Sequence, residues 1–351
     1  MNNSLTSNSS ETSGNPQPSP TIPQLLLTGF ADEASSEKTL DQQFLVMSAL
    51  GYEYFSIRFL NLGQGIKNIM ALEDAELDLV KQAMSAYEIK VSSIGSPIGK
   101  VKLCDIDDGN PSPFRPFADY LSHEVPRVCR IAERLEAKLV RGFSFYHPRG
   151  SDLNQHLGQA IDQVGEIARV CQTHGLIFGL EVEANLVGQN GFLLAEMHRQ
   201  INNPNLVLIF DGGNLVMQGY STEEIFQQYL AMKPGLGWIH IKDYRQPAAV
   251  SDQATAERHV DEDAVSDFVP ADRGDSGHLQ ILKDLAGWMP ELDHRMKRLG
   301  ADGVFADLEP HLKGGGQFGG FSGADGFGIA TRAFCRVCDA AGITYRLREL
   351  A

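Results

Sequence analysis

Five cysteines in 351 residues are too few and too scattered to frame a disulfide-bonded fold. A reducing, cytoplasmic setting is the default expectation. No apolar run approaches the ~18 residues a membrane-spanning helix needs, and no membrane association is expected. The N-terminus lacks the charged and apolar regions of a secretory signal. Basic residues are scarce as well: 30 Lys plus Arg face 45 Asp plus Glu, a formal net charge of -15. Such a surface repels phosphate backbones, so a nucleic-acid partner is not expected. Three further signatures are missing. The first strand candidate runs into Gly29-Phe30-Ala31-Asp32-Glu33 instead of a G-x-G-x-x-G turn. The glycine-rich stretch Gly314-Gly315-Gly316-Gln317-Phe318-Gly319-Gly320 has no Gly-Lys-Ser/Thr of a P-loop. No Gly-x-Ser-x-Gly elbow stands at a strand-to-helix turn.

What is present is an ordinary globular balance, 42% hydrophobic and 21% charged, with enough apolar side chain for a sizeable core. Residues 1–22 are rich in Ser, Asn, Thr and Pro and are expected to be a disordered tail. From Gln24 onward, short apolar runs alternate with amphipathic stretches. Strand candidates fall at 25–30, 53–58, 90–95, 138–145, 176–181, 205–211, 236–241 and 303–309. Helix candidates fall at 37–50, 72–87, 117–136, 153–174, 191–201, 222–232, 279–298 and 326–341. Gly51, Gly175, Gly300 and Gly342 are placed to cap four of them. Eight strand–helix units with hydrophobic strands predict a parallel sheet covered by helices, and eight closes a (β/α)8 TIM barrel. One such domain over residues 23–351 is expected. The long connections near 96–116 and 244–278 follow strands and so lie on the face where barrel active sites are built.

Polar residues interrupt the apolar strands at matching places. Strand five ends in Gly179-Leu180-Glu181-Val182-Glu183 and strand six in Ile209-Phe210-Asp211. Strand seven carries His240 within Trp238-Ile239-His240-Ile241-Lys242-Asp243, and strand eight ends in Asp307-Leu308-Glu309-Pro310-His311. A barrel sets strand ends in a ring, so these side chains converge near its axis. Three carboxylates and an imidazole without a counter-charge would be costly to bury. A divalent cation removes that cost, and oxygen-rich ligands with a single His suit Mn2+ or Mg2+ ahead of Co2+ or Zn2+.

These residues resemble the xylose-isomerase-like barrels, in the branch of sugar phosphate isomerases and epimerases that includes tagatose 3-epimerase. The resemblance spans about residues 24–345. It is carried by GLEVEANLVGQNG, LIFDGGNLV, WIHIKDY and DLEPHLKGGGQFGGFSGADGF, supported by GFADEAS, SSIGSPIGK and RGFSFYHPRG. It implies metal ligation by Glu181, Asp211, His240 and Glu309, and an acid/base pair made of Glu181 and Glu309. It further implies proton transfer beside a sugar carbonyl through an enediolate that a bound cation stabilises. Barrels of this kind often pair through their loop faces, so a homo-oligomer is an expected partner state beside the small-molecule sugar. Three departures fall on substrate-contact positions. Glu183 stands where the family often has His or Asn, and Asn214 where it often has His. Ala271-Asp272-Arg273-Gly274-Asp275 replaces a Gly-Glu-Gly segment, leaving Arg273 as a candidate contact of its own.

Further substrate-contact candidates come from position alone. Strand alternation puts Lys242 on the side of His240, with Asp243 placed to orient it. Arg141 and His147 flank strand four. Lys100 lies in the loop after strand three, Arg58 ends strand two, and His311 follows the last ligand. Cys335 and Cys338 share one helix face, which suits packing. The leading expectation is a metal-dependent sugar isomerase or epimerase. The alternative is a lyase or dehydratase acting on a keto-sugar or keto-inositol at the same site. Apurinic endonucleases share the barrel but use a three-metal cluster that needs more histidines, and this chain has only His240 at a matching strand end.

Overall fold

The computed structural model describes residues 23–246, 260, 267–315 and 319–348. The tail expected over residues 1–22 lies outside the described residues. Runs such as Leu-Val-Leu-Ile-Phe can be buried on both faces only inside a parallel sheet, and burial of each such side chain contributes about 1.5–3 kcal/mol. Eight strands take up these runs: β1 Leu25–Gly29, β2 Tyr54–Ile57, β3 Lys90–Ile98, β4 Leu139–Gly142, β5 Ile177–Glu181, β6 Leu206–Asp211, β7 Leu236–Ile241 and β8 Val304–Leu308. Parallel ladders join them in the order β2, β3, β4, β5, β6, β7, β8, β1. A parallel bridge between Phe30 and Ser56 returns β1 to β2 and closes the barrel. Tyr345–Arg346 adds a short strand beside β1.

Helices follow each strand on the outside: α1 Leu40–Ala49, α2 Asp74–Tyr87, α3 Phe117–Arg134, α4 Asn154–Thr173, α5 Gly191–Ile201, α6 Thr222–Met232, α7 His278–Arg298 and α8 Gly323–Ala341. In α3, Val125, Val128, Cys129 and Ala132 recur at helical spacing and are buried. The ends are marked locally. Ser221 and Glu224 form a capping box on α6, and Asn190 caps α5. Gly342, at φ +71, takes the left-handed position after α8. All five cysteines are free, and Cys338 is buried as expected while Cys335 is half-buried. Among the described residues, no helix is long and apolar enough to cross a membrane.

Some elements escape the periodic pattern. A turn of 3-10 helix, Ala31–Ala34, follows β1, and a two-stranded ribbon pairs Phe59–Asn61 with Ile66–Asn68 after β2. A six-residue helix, Gly212–Met217, starts directly at the end of β6. All are too short for a helical or strand period to register in sequence. Inside the barrel, a polar layer crosses the axis. Thr28 and Ser92 hydroxyls lie 2.6 Å apart, Ser93 donates to Ser56 at 2.7 Å, and Ser56 donates to Asp307.

Candidate metal centre and the cavity above it

Strand register brings the ligand candidates together. Asp211 pairs with His240 across β6 and β7, and His240 pairs with Asp307 across β7 and β8. Glu181 ends β5, and the Glu309 amide donates to the Ile241 carbonyl just past β8. Glu181, Asp211, His240 and Glu309 each offer one ligand atom, and all four atoms lie within 4.8 Å of one another. None of the four residues is more than 3% exposed. His240 Nδ1 faces the group, 2.8 Å from Glu181 Oε1, 3.8 Å from Glu309 Oε2 and 3.9 Å from Asp211 Oδ2. Asp211 does two jobs. Its Oδ1 accepts the Asn214 amide at 3.0 Å and so caps the short helix, which leaves Oδ2 for the centre.

The donor set fits a divalent cation. Glu181 Oε2 and Asp211 Oδ2 are buried and accept no hydrogen bond from the described residues. Beside His240, the cations nearest these two oxygens among the described residues are Arg141 Nη1 at 3.4 Å and Lys242 Nζ at 3.0 Å. Three oxygens and one imidazole nitrogen make a mixed hard set suited to Mg2+ or Mn2+. Below His240, Asp307 Oδ2 lies 4.0 Å from Nε2 and accepts from Ser56 and from Trp238 Nε1. That carboxylate stands where the outer partner of a ligating histidine is found.

The electrostatics follow from burial set against these neighbours. Burial pushes Asp211 up to about 6 despite Lys242. Burial also raises Asp307 to about 6. For Glu181, burial is outweighed by His240 and Arg141, which hold it at about 2. Burial alone would lower His240, but Glu181 raises it to about 9. Glu309 is held well below the carboxylate range, since Lys242 and Arg58 overcome its burial.

Above the centre lies a cavity of about 670 Å3, open space at its mouth included. Arg58 Nη1 reaches Glu309 Oε1 at 2.5 Å, and Nη2 lies 3.3 Å from Asp32 and 3.4 Å from Glu33. Lys242 Nζ also lies 3.2 Å from Glu309 Oε2. Lys100 pairs with Glu183 at 3.1 Å above the Phe143 ring. His311 lines the cavity with Nδ1 2.8 Å from Glu33 Oε1, on a backbone at φ +51. Gly319 and Gly320 press on Arg58 and His311: a Cβ at either would meet the guanidinium or the imidazole. The glycine stretch after β8 is therefore a close-fitting roof where described; residues 316–318 lie outside the described residues.

A family model for the xylose isomerase-like TIM barrel matches residues 44–320. The chain belongs to that family. Solved structures share the barrel at low identity. A xylose isomerase-like TIM barrel protein from Mycobacterium smegmatis, in complex with magnesium, is 17% identical at TM-score 0.57, over 92% of this chain and 97% of that one. The probable 3-DHS dehydratase of petrobactin synthesis from Bacillus anthracis is 13% identical at TM-score 0.58, over 89% and 98%. D-psicose 3-epimerase from Clostridium cellulolyticum H10, solved with D-tagatose, is 14% identical at TM-score 0.52, over 90% and 96%. At such identity the likeness concerns the fold. No curated protein matches the sequence.

In this xylose isomerase-like barrel, Arg58, Lys100, Glu183, Asn214 and Lys242 line the cavity together with Glu309. The Asn214 side-chain Nδ2 donates to the Val182 carbonyl at 3.0 Å, and its Oδ1 accepts no hydrogen bond from the described residues. Two expected contacts stand elsewhere. His147 does not line the cavity; its Nδ1 lies 3.1 Å from the Pro148 carbonyl and its ring stacks on His156. Arg273 is exposed on the surface beside Asp272, because its loop is tied down by its neighbours. Asp243 does that tying: it accepts the amides of Tyr244, Gly274 and Ser276 and does not orient Lys242. Asp32, Glu33 and Asp307 were not singled out in sequence. Asp307 had a readable signal, since it sits two residues before Glu309 on the same strand face. Asp32 and Glu33 follow β1 as an ordinary polar turn would.

Proposed function

We propose that this chain is a divalent-metal-dependent isomerase or epimerase that moves a proton beside the carbonyl of a sugar. The observation that carries this reading is the convergence of Glu181, Asp211, His240 and Glu309, with two of their oxygens left without hydrogen bonds. A magnesium complex and a D-tagatose complex among the related folds support it. Held by those four residues, Mg2+ or Mn2+ would supply Lewis-acid polarisation of a carbonyl. The rest of the work falls to the chain. Glu309 lines the cavity, is ionised by its cationic neighbours, and takes the proton from the carbon beside the carbonyl. Glu181, across the centre, is the other member of the pair; ionised at rest, it can deliver a proton to the other side only after taking one up from solvent. Phe143 and Phe268 supply apolar wall to the cavity.

A specific feature favours a dehydratase as the second reading. His311 lines the cavity beside Glu309 and is backed by buried Glu33, so an imidazole stands where a leaving hydroxyl would depart. The test is elemental analysis combined with solvent-deuterium incorporation over free ketoses, keto-inositols and 3-keto-glycosides. Bound metal and label at the carbon beside the carbonyl are expected. Loss of water, read by absorbance of the conjugated ketone, identifies the dehydratase. Glu309→Gln should slow exchange by about 10²–10⁴. Exchange as fast as the parent would remove Glu309 from its role.

A further inference from the structure

The cavity wall carries more charged side chains than neutral polar ones. Of the side chains that line it, Arg58, Lys100, Arg141 and Lys242 are cationic, while Glu183 and Glu309 are anionic. Only Asn68 and Asn214 among these lining residues carry a neutral amide, and none carries a hydroxyl. A neutral polyol is held by amides, hydroxyls and carboxylates that accept and donate in turn. This wall offers it few such groups. Arg58, Lys100 and Lys242 are each paired with carboxylates, and a divalent cation held by the ligand quartet would take up the charge of Glu181, Asp211 and Glu309 beside Arg141 and Lys242.

Arg141 is the least satisfied of these cations. It lies in β4, is 7% exposed, and is sandwiched between the rings of Phe30 and Phe143 at 4.9 and 5.0 Å. A guanidinium carries five N–H donors. Here a hydrogen bond runs from Nη2 to the Gly95 carbonyl at 3.4 Å, and Nε is buried without a partner among the described residues. Its carboxylate neighbours stay at 3.4 Å for Glu181 and 3.8 Å for Glu309, and a metal held there would compete with it for both. Arg58, by contrast, is clamped by three carboxylates. A planar guanidinium with unmet donors, fixed by two aromatic rings, is built to receive a two-oxygen anion.

We propose that the substrate of this cavity carries an oxyanion, a carboxylate or a phosphate, and that Arg141 with Lys242 selects it. This deepens the functional reading above and rests on it for the carbonyl chemistry. The unmet donors of Arg141 are independent of that chemistry.

The test is calorimetric titration of the full chain in Mg2+ with D-fructose, 5-keto-D-gluconate and D-fructose 6-phosphate. At least one anion should bind ten-fold or more tightly than D-fructose, and which one does separates carboxylate from phosphate. Arg141→Met should bring that preference to within about three-fold, with Mg2+ binding and a cooperative melt retained. Arg141→Lys should keep part of it, which guards against a folding defect. Equal binding of the neutral sugar, an unchanged preference in Arg141→Met, or no binding of any probe at millimolar concentration overturns the proposal. Proton exchange on neutral ketoses without anion preference would sink this inference and leave the isomerase reading standing. Anion binding without metal or exchange would do the reverse.

Discussion

The two halves of the barrel wall contribute opposite charge to the same space. From β5 to β8 come Glu181, Glu183, Asp211 and Glu309, with His240 among them. From β2 to β4 come Arg58, Lys100 and Arg141. Lys242 on β7 and the Asp32–Glu33 pair after β1 cross this division. The arrangement teaches why the centre needs the closed barrel. Arg58 and Glu309 are 251 residues apart, and neither charge could be buried without the other half. It also separates two chemistries: the acidic half offers the oxygen and imidazole donors that suit a cation, and the basic half faces the cavity above them.

The largest effect should come from pH. His240 has its proton held tightly by Glu181, with its value raised from 6.5 to about 9. Its protonation favours the fold fully below pH 6.5, and that contribution fades as pH passes 9. A ligating metal must displace this proton, so metal affinity should rise about ten-fold per unit between pH 6 and 9. Below about 6, Asp211 also takes up a proton and the fall should steepen. Calorimetric Mg2+ or Mn2+ titrations across this range check it; a flat profile would separate His240 from the metal.

Breaking the opposite half tests the charge pairing. Arg58→Met leaves Asp32, Glu33 and Glu309 facing one another in a buried site. Unfolding in urea should show a loss of about 3–5 kcal/mol. Asp307→Asn should act on the acidic half alone, weakening metal affinity by about 10–100-fold through His240. The same variant should leave anion preference unchanged, which ties Asp307 to the ligands and not to the wall. The smallest effect belongs to a pair outside both halves. Lys81 and Glu136 meet at 3.3 Å on the surface, and Lys81→Met should cost less than about 1 kcal/mol by the same urea measurement.

Much of the architecture was readable in sequence because it depends on local periods. The α5, α6 and β7 boundaries fall where the pattern placed them, and the other long elements differ by a few residues at their ends. The strand 138–145 was read too long: β4 ends at Gly142, since Phe143 to Phe145 leave the ladder to wrap the loop at Gly99. The four ligand candidates stood out because a charged residue at the end of an apolar strand breaks a two-residue alternation. His147 and Arg273 looked equivalent to Arg58 and Lys100 in sequence, since a polar residue in a loop after a strand carries no record of its direction.

Eight strand–helix units and a ring of Glu, Asp, His and Glu at four successive strand ends are legible in the chain, because hydrophobic periodicity is written residue by residue. Which charges answer them emerges from the closed fold. Arg58 and Arg141 reach the centre, Asp307 backs His240, and Asp243 serves a loop, since these relations join residues from 31 to 251 positions apart in the chain. No local pattern encodes a distance of that kind.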